Sequence, residues 1–271
     1  MHTFQNLLQE SRLLSMLHEN MDQEIFTSRL YQSLTHYFNQ YTEFNHVTAN
    51  DAILIYQNFI SAYSKHAKKF IKTGVYPLHE GEKTFSINRQ EYDLVLLLSV
   101  LFTEHRFRIM QLINEKAEND ASSLCVGVGP GLELLLTNGK YSKMDAYDVT
   151  ISDFLYKYFP RVTFYKQIYD GQNQNGYNAI FLIEILEHLA DPFELLQISY
   201  LSLAEGGRVY LTTATDIPQF DHLYNFPADH VEFEHTIKQM GFAVEYTEQI
   251  HHKYFSLSIK SSNRFYILRK L

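Results

Sequence analysis

The segment Leu124-Cys125-Val126-Gly127-Val128-Gly129-Pro130-Gly131 leaves the chain few conformations. Its first half is a short apolar run bounded by Ser122 and Ser123, and it reads as a fully buried strand. The three glycines then allow a tight turn in which backbone can come close to a ligand. Leu132-Glu133-Leu134-Leu135-Leu136 continues as a helix whose first amides point back at that ligand. Strand, glycine turn and helix in this order begin a nucleotide-binding unit. An ordinary strand–helix turn carries glycines too, so the neighbouring segments must decide.

Lys143 to Val149 reads as the next strand, with Asp148 near its carboxyl end and Thr150 after it. An acid there can accept both hydroxyls of a ribose, as nicotinamide enzymes also arrange. The spacing Gly127-x-Gly129-x-Gly131 is tighter than the dinucleotide pattern. Tyr177 to Ile183 reads as a fourth strand, followed by Glu184-Ile185-Leu186-Glu187-His188-Leu189 and Asp191-Pro192. Asp191 is a good helix N-cap with proline at the first helical position. The turn Glu205-Gly206-Gly207 leads into a fifth strand, Arg208 to Thr213.

From about Ser122 to Leu271 these segments resemble the class I S-adenosylmethionine (SAM)-dependent methyltransferases. The resemblance implies an α/β fold with a Rossmann-like seven-stranded methyltransferase sheet, whose last strands, Ala243 to Ile250 and Phe265 to Arg269, form an antiparallel hairpin. It implies that Gly127, Gly129 and Gly131 face the methionine part of SAM and that Asp148 binds the ribose. Val149 would pack on the adenine, Ile168, Tyr169 and Asp170 would stand beside it, and Ile183 would end the fourth strand at the cofactor. The loop after the fifth strand, Asp216 to Ala228, carries Phe220, His222, Tyr224 and Phe226 and would lie beside the methyl acceptor.

Residues 1–120 read as an all-helical domain before the SAM-binding domain, 121–271. Phe4 to Leu17 and Gln23 to Phe38 have helical apolar spacing. Asn50 or Asp51 can cap a third helix ending before Gly74 and Pro77. After a loop through His79-Glu80-Gly81-Glu82, the pair Asn88 and Glu91 forms a capping-box-like start to a long helix reaching Lys116. Such helices cover the cofactor in relatives, and Tyr63 to Tyr76 is the expected lid. The competing expectation is a packing or homodimerisation domain.

Composition narrows the partners. The net charge of -8 and the lack of a dense Lys/Arg run argue against a nucleic-acid partner. The single cysteine, Cys125, excludes an intramolecular disulfide and reads as a buried inert thiol. The longest apolar stretch, Leu94 to Phe102, is too short to span a bilayer. No secretory leader is visible, so a cytoplasmic protein with no membrane partner is expected.

Methyl transfer from a sulfonium requires donor and acceptor to be aligned, which can lower a barrier by roughly 7–11 kcal/mol. An acceptor that must lose a proton also needs a base. His188 is the candidate, since imidazole titrates nearest neutral pH. Glu184, Glu187 and His188 would share one face if their segment were helical. Small-RNA 2′-O-methyltransferases carry a similar E-x-x-E-H and a later D-H-x-F-E-W. Asp229-His230-Val231-Glu232-Phe233-Glu234-His235 is similar to the latter, with His235 where the tryptophan stands. That resemblance implies a divalent metal on Glu184, Glu187, His188 and His230; without a metal, His188, Glu187 and His230 are the catalytic candidates. A small-molecule acceptor is expected. The alternatives are an RNA 2′-O-methyltransferase, a non-catalytic SAM-fold partner protein and, more distantly, a nicotinamide oxidoreductase.

Overall fold

The computed structural model describes residues 3–76, 87–172, 176–219, 221–253 and 260–271. Pro77, the 79–82 turn and Phe220 lie outside them. Among the described residues seven helices come first: α1 (Thr3–Glu10), α2 (Arg12–Glu19), α3 (Gln23–Thr27), α4 (Arg29–Phe44), α5 (Ala49–Thr73), α6 (Arg89–Phe102) and α7 (Glu104–Lys116). The alternating part follows as β1 (Asp120–Val126), α8 (Leu132–Thr137), β2 (Tyr141–Asp148), α9 (Asp153–Tyr158), β3 (Val162–Lys166) and β4 (Tyr177–Leu182). It closes with α10 (Pro192–Ser202), β5 (Leu203–Thr215), α11 (Val231–Gln239), β6 (Phe242–His251) and β7 (Ser262–Lys270).

The helical half breaks more often than its apolar spacing suggests, because short polar side chains take over the amides of the next turn. Ser11 accepts from Leu14 N and separates α1 from α2. Ser28 accepts from Tyr31 N and separates α3 from α4. The cap of α5 is Thr48, with Asp51 as the returning half of the box. Asn88 and Glu91 form the expected capping box. The single long helix expected from there is two, since Thr103 is extended (φ -135°, ψ 129°) and its hydroxyl donates to Ser99 O at 2.6 Å.

The sheet order is β3-β2-β1-β4-β5-β7-β6. β1 to β5 run parallel, with Cys125 beside Ala146 and Phe181. β7 enters antiparallel between β5 and β6, with Tyr210 beside Ile267. The order reverses between β1 and its two neighbours, and in open α/β sheets ligands bind at the carboxyl ends of the strands flanking that switch point. One face of the sheet, through Cys125, Ala146, Phe181 and Tyr210, shares a continuous apolar core with α1, α4, α5, α6 and α7. α6 contributes Leu94, Leu98 and Leu101, each at most 1% exposed and each stabilising by roughly 1.5–3 kcal/mol. That packing fixes α6 across the glycine turn. The opposite face packs against α10 and α11. Among the described residues no helix is long and apolar enough to cross a membrane.

Candidate cofactor and acceptor sites

Between β1 and α8 all three glycines adopt positive φ, at 70°, 50° and 81° for Gly127, Gly129 and Gly131. Their reasons differ. A Cβ on Gly131 would lie 2.6 Å from Leu155 Cδ2 and 3.1 Å from Tyr37 Oη, so this glycine lets α8 approach α9 and α4. A Cβ on Gly129 would meet only Leu96 Cδ1 at 3.4 Å and the Gly127 carbonyl at 3.9 Å. Gly129 therefore keeps a cleft open, while Gly131 closes a packing contact.

Asp148 ends β2 over this turn. Its Oδ2 accepts from Gly129 N at 3.1 Å, and its Oδ1 accepts from Thr150 N at 3.1 Å. The expected cofactor residues omitted Arg89, at the start of α6. Its Nη1 donates to Asp148 Oδ1 and to Thr150 Oγ1, Nη2 to the Gly129 carbonyl, and Nε to buried Asp93 at 2.8 Å. Burial raises the Asp93 carboxyl to about 6 even though Arg89 opposes the shift. The sequence signal was the capping box, which placed Arg89 in the first helical turn but did not show what it would reach.

A cavity of about 460 Å³ opens on this turn, within the range of small-molecule sites. Of the expected residues, Gly127, Gly129, Asp148, Val149, Ile183, Glu184 and His188 line it. Gly131, Tyr169, Asp170, Glu187 and His230 do not. Tyr169 is 3% exposed, packs on Tyr147 and donates to Ser202 Oγ, so it belongs to the core. Asp170 is exposed and accepts from Gln172 N. Ile87, just before α6, and Arg89 and Tyr92 in its first turn line the cavity, and no residue from Tyr63 to Tyr76, the expected lid, does. Glu133 also lines it, and burial lifts its carboxyl to about 7.

Past β4 the expected helical face does not form. Glu184 takes a left-handed φ of 53°, and only Leu186–His188 make a single 3-10 turn. Glu184 therefore does not share a helical face with the other two, whereas Glu187 and His188 keep ligand atoms within 4.8 Å of each other. Glu184 pairs with Arg106 at 2.8 Å and accepts from Asn263 Nδ2 at 2.7 Å. Glu187 is fully buried, with no hydrogen-bond partner on either carboxylate oxygen among the described residues. Burial and then neighbouring Glu184 push its pKa well up. His188 Nδ1 lies 3.1 Å from the Asp221 carbonyl. That oxygen can only accept, so Nδ1 carries a proton, and in the neutral ring the lone pair is then on Nε2.

His230 is 1% exposed and caps α11 from a left-handed backbone, its ring parallel to Phe226 and its Nε2 3.4 Å from Thr215 Oγ1. Burial lowers its pKa to about 4. It is thus a neutral core histidine. The set Glu184, Glu187, His188 and His230 is not assembled as expected. Among the described residues the ligand atoms that lie within 4.8 Å of one another are those of Glu187, His188 and His222.

A second cavity, of about 270 Å³, lies behind α6. Leu17, Tyr56, Phe59, Ile60, Tyr63 and Phe102 give it apolar walls, and Tyr92, Leu96, Arg106 and Glu184 line both cavities. Its polar end holds His105 stacked on His252 at 3.6 Å, with His252 Nε2 2.6 Å from Asn263 Oδ1. Burial lowers both imidazoles, His252 to about 3, so the rings stay neutral, and the charged groups beside them are the Arg106–Glu184 and Lys253–Glu104 pairs.

No protein-family model matches the sequence, and no curated protein matches it. Solved structures do. An O-methyltransferase family protein from Burkholderia thailandensis is 11% identical, over 82% of this chain and 73% of that one, with a TM-score of 0.52. The N-methyltransferase NodS from Bradyrhizobium japonicum WM9, in complex with S-adenosyl-L-homocysteine (SAH), is 15% identical over 61% and 86%, with a TM-score of 0.49. The Burkholderia thailandensis 1,6-didemethyltoxoflavin-N1-methyltransferase is 14% identical over 60% and 76%, at 0.48. At these identities the likeness is one of fold, and it agrees with the strand order read directly from the sheet. The chain has the seven-stranded fold of the class I SAM-dependent methyltransferases.

Proposed function

We propose that the protein is a SAM-dependent methyltransferase acting on a small, largely apolar molecule. The observation that carries this reading is the single cavity rimmed by the glycine turn and Asp148 at the switch point of the sheet. The residues present fit the cofactor. Gly129 leaves a cradle that a Cβ would fill, and Asp148 has accepting capacity beside it. When bound, SAM supplies a methyl group already activated on a sulfonium.

The chain supplies the rest. Asp148 accepts hydrogen bonds from the ribose, the 127–129 backbone lies against the ligand, and Val149 and Ile183 give it apolar walls. α6 shields the cavity from water. The second cavity takes the acceptor, its aromatic walls burying the apolar part and Arg106 and Glu184 meeting a polar group near the shared wall. His188 holds a lone pair on Nε2 that can receive or weaken an acceptor proton. The RNA alternative rests on the resemblance to E-x-x-E-H and D-H-x-F-E segments; His230 is buried and outside the group formed by Glu187, His188 and His222, so the small-molecule reading is preferred.

Calorimetry with SAH tests the reading. Asp148→Ala should bind at least tenfold more weakly, a loss of about 1.4 kcal/mol or more. A folded Asp148→Ala protein with wild-type affinity would remove the assignment. A structure with SAH would then show how much of the second cavity remains open beside the sulfur.

A further inference from the structure

We propose that Glu187, His188 and His222 form a site for one divalent transition-metal ion. Each offers a ligand atom within 4.8 Å of the other two; an ion at bond distances of about 2.0–2.2 Å holds its ligands at most about 4.4 Å apart, so small side-chain adjustments would close the shell. Among the described residues the Glu187 oxygens have no hydrogen-bond partner, and the contacts of His188 and His222 described below are made through Nδ1, on the other side of the ring from Nε2.

Glu187 is 0% exposed, and neither carboxylate oxygen has a hydrogen-bond partner among the described residues. A buried carboxylate in that state is costly unless it is protonated or meets a cation. No lysine or arginine forms an ion pair with it among the described residues, whereas Glu184 has Arg106.

The two imidazoles are held in the ligating tautomer by their outer contacts. His188 Nδ1 donates to the Asp221 carbonyl at 3.1 Å, with Asp221 Oδ2 at 3.5 Å. Tyr76 Oη spends its proton on the Ile217 carbonyl at 2.6 Å, so toward His222 Nδ1, at 3.3 Å, it can only accept. His222 therefore also carries its proton on Nδ1. In both rings Nε2 keeps the lone pair, and each Nδ1–H is oriented by an oxygen, the arrangement that metal-bound histidines use. The rings meet edge to face at 4.9 Å.

Two imidazoles and one carboxylate select a first-row transition ion such as Mn²⁺, Fe²⁺, Co²⁺ or Zn²⁺ over Mg²⁺ or Ca²⁺. Three protein ligands leave a position open. His188 lines the cavity beside the glycine turn, so an oxygen of a bound molecule would complete the shell. This deepens the role proposed for His188, since the same lone pair would act on the acceptor through the ion. The site itself stands on its own geometry and does not depend on the methyltransferase reading.

The test uses tag-free full-length protein stripped with chelator and titrated with Co²⁺, followed by visible absorption and calorimetry, with Zn²⁺ as competitor. One Co²⁺ per chain should bind with a visible band that Zn²⁺ removes. Glu187→Gln and His222→Asn should each weaken binding by roughly tenfold or more. Apo melting curves identify a variant that fails to fold, and His188→Asn, at the half-buried position, then takes its place. Wild-type Co²⁺ affinity in folded variants overturns the site, as does stripped wild-type protein that binds no ion. SAH calorimetry on the same samples separates the two proposals. Protein that binds SAH but no ion loses only the metal site, and protein that binds the ion but not SAH loses only the cofactor reading.

Discussion

Arg89 and Asp148, 59 positions apart, form an ion pair at 3.0 Å, and the same guanidinium reaches the Gly129 carbonyl at 2.6 Å. The helical half thus holds the acid and the glycine turn together. Asp148 already accepts from Gly129 N, Thr150 N and Arg89, three of about four available lone-pair positions. A ribose binding through both hydroxyls must share this carboxylate with Arg89 or displace it.

Replacing Arg89 with methionine keeps its stem and removes its charge. Asp93, 0% exposed on its side chain, then loses its cation. Breaking a fully buried pair costs roughly 3–5 kcal/mol; with Arg89 21% exposed, roughly 2–3 kcal/mol is expected at pH 8. The sign with pH follows from Asp93, which burial lifts from 3.8 to about 6. The folded state binds that proton more tightly, so stability falls as pH rises through about 4 to 6. Without Arg89 the carboxyl rises further and the fall extends upward. Melting curves should show a larger deficit for Arg89→Met at pH 8 than at pH 5; an equal deficit removes Asp93 from the account.

The glycines should separate by experiment. Gly131→Ala combines a left-handed backbone with a Cβ 2.6 Å from Leu155, and it should lose about 2–5 kcal/mol of stability. Gly129→Ala carries the backbone strain alone, about 1–2 kcal/mol, but places a methyl in the cradle. Denaturant titration should rank Gly131→Ala as the less stable, and SAH calorimetry should show Gly129→Ala losing at least tenfold in affinity. The reverse ranking would contradict the division of roles.

Hydrogen exchange locates the cover. SAH should protect amides from Ile87 to Leu96. Tyr63 to Tyr76 should change only when an acceptor also binds, because Tyr63 and Ser64 line the second cavity and not the first. Protection of Tyr63 to Tyr76 by SAH alone would restore the lid expected from sequence.

The glycine turn, the position of Asp148 at the end of β2 and the alternation of strands and helices were legible because they depend on neighbours a few residues away and on one repeated strand–helix unit. The capping box at Asn88 and Glu91 was legible for the same reason. Arg89 was not, since its partners lie on β2 and in the glycine turn. Glu184 left the expected group on one backbone angle, while Glu187 and His188 stayed together. Spacing of three and four places residues on one face only if every intervening residue is helical, and Glu184 is left-handed. His222 stood in a polar, aromatic loop read as lying beside the acceptor, but no local pattern could bring it to Glu187.

α6 is a party wall. Tyr92 and Leu96 present atoms to both cavities, so neither can be filled without pressing on the helix that bounds the other. If SAH fills one cavity and an acceptor the other, as proposed, whichever arrives first would fix that wall and the second would find it already set. Donor and acceptor affinities are then linked, and linkage is symmetric: the factor by which an acceptor tightens SAH is the factor by which SAH tightens the acceptor.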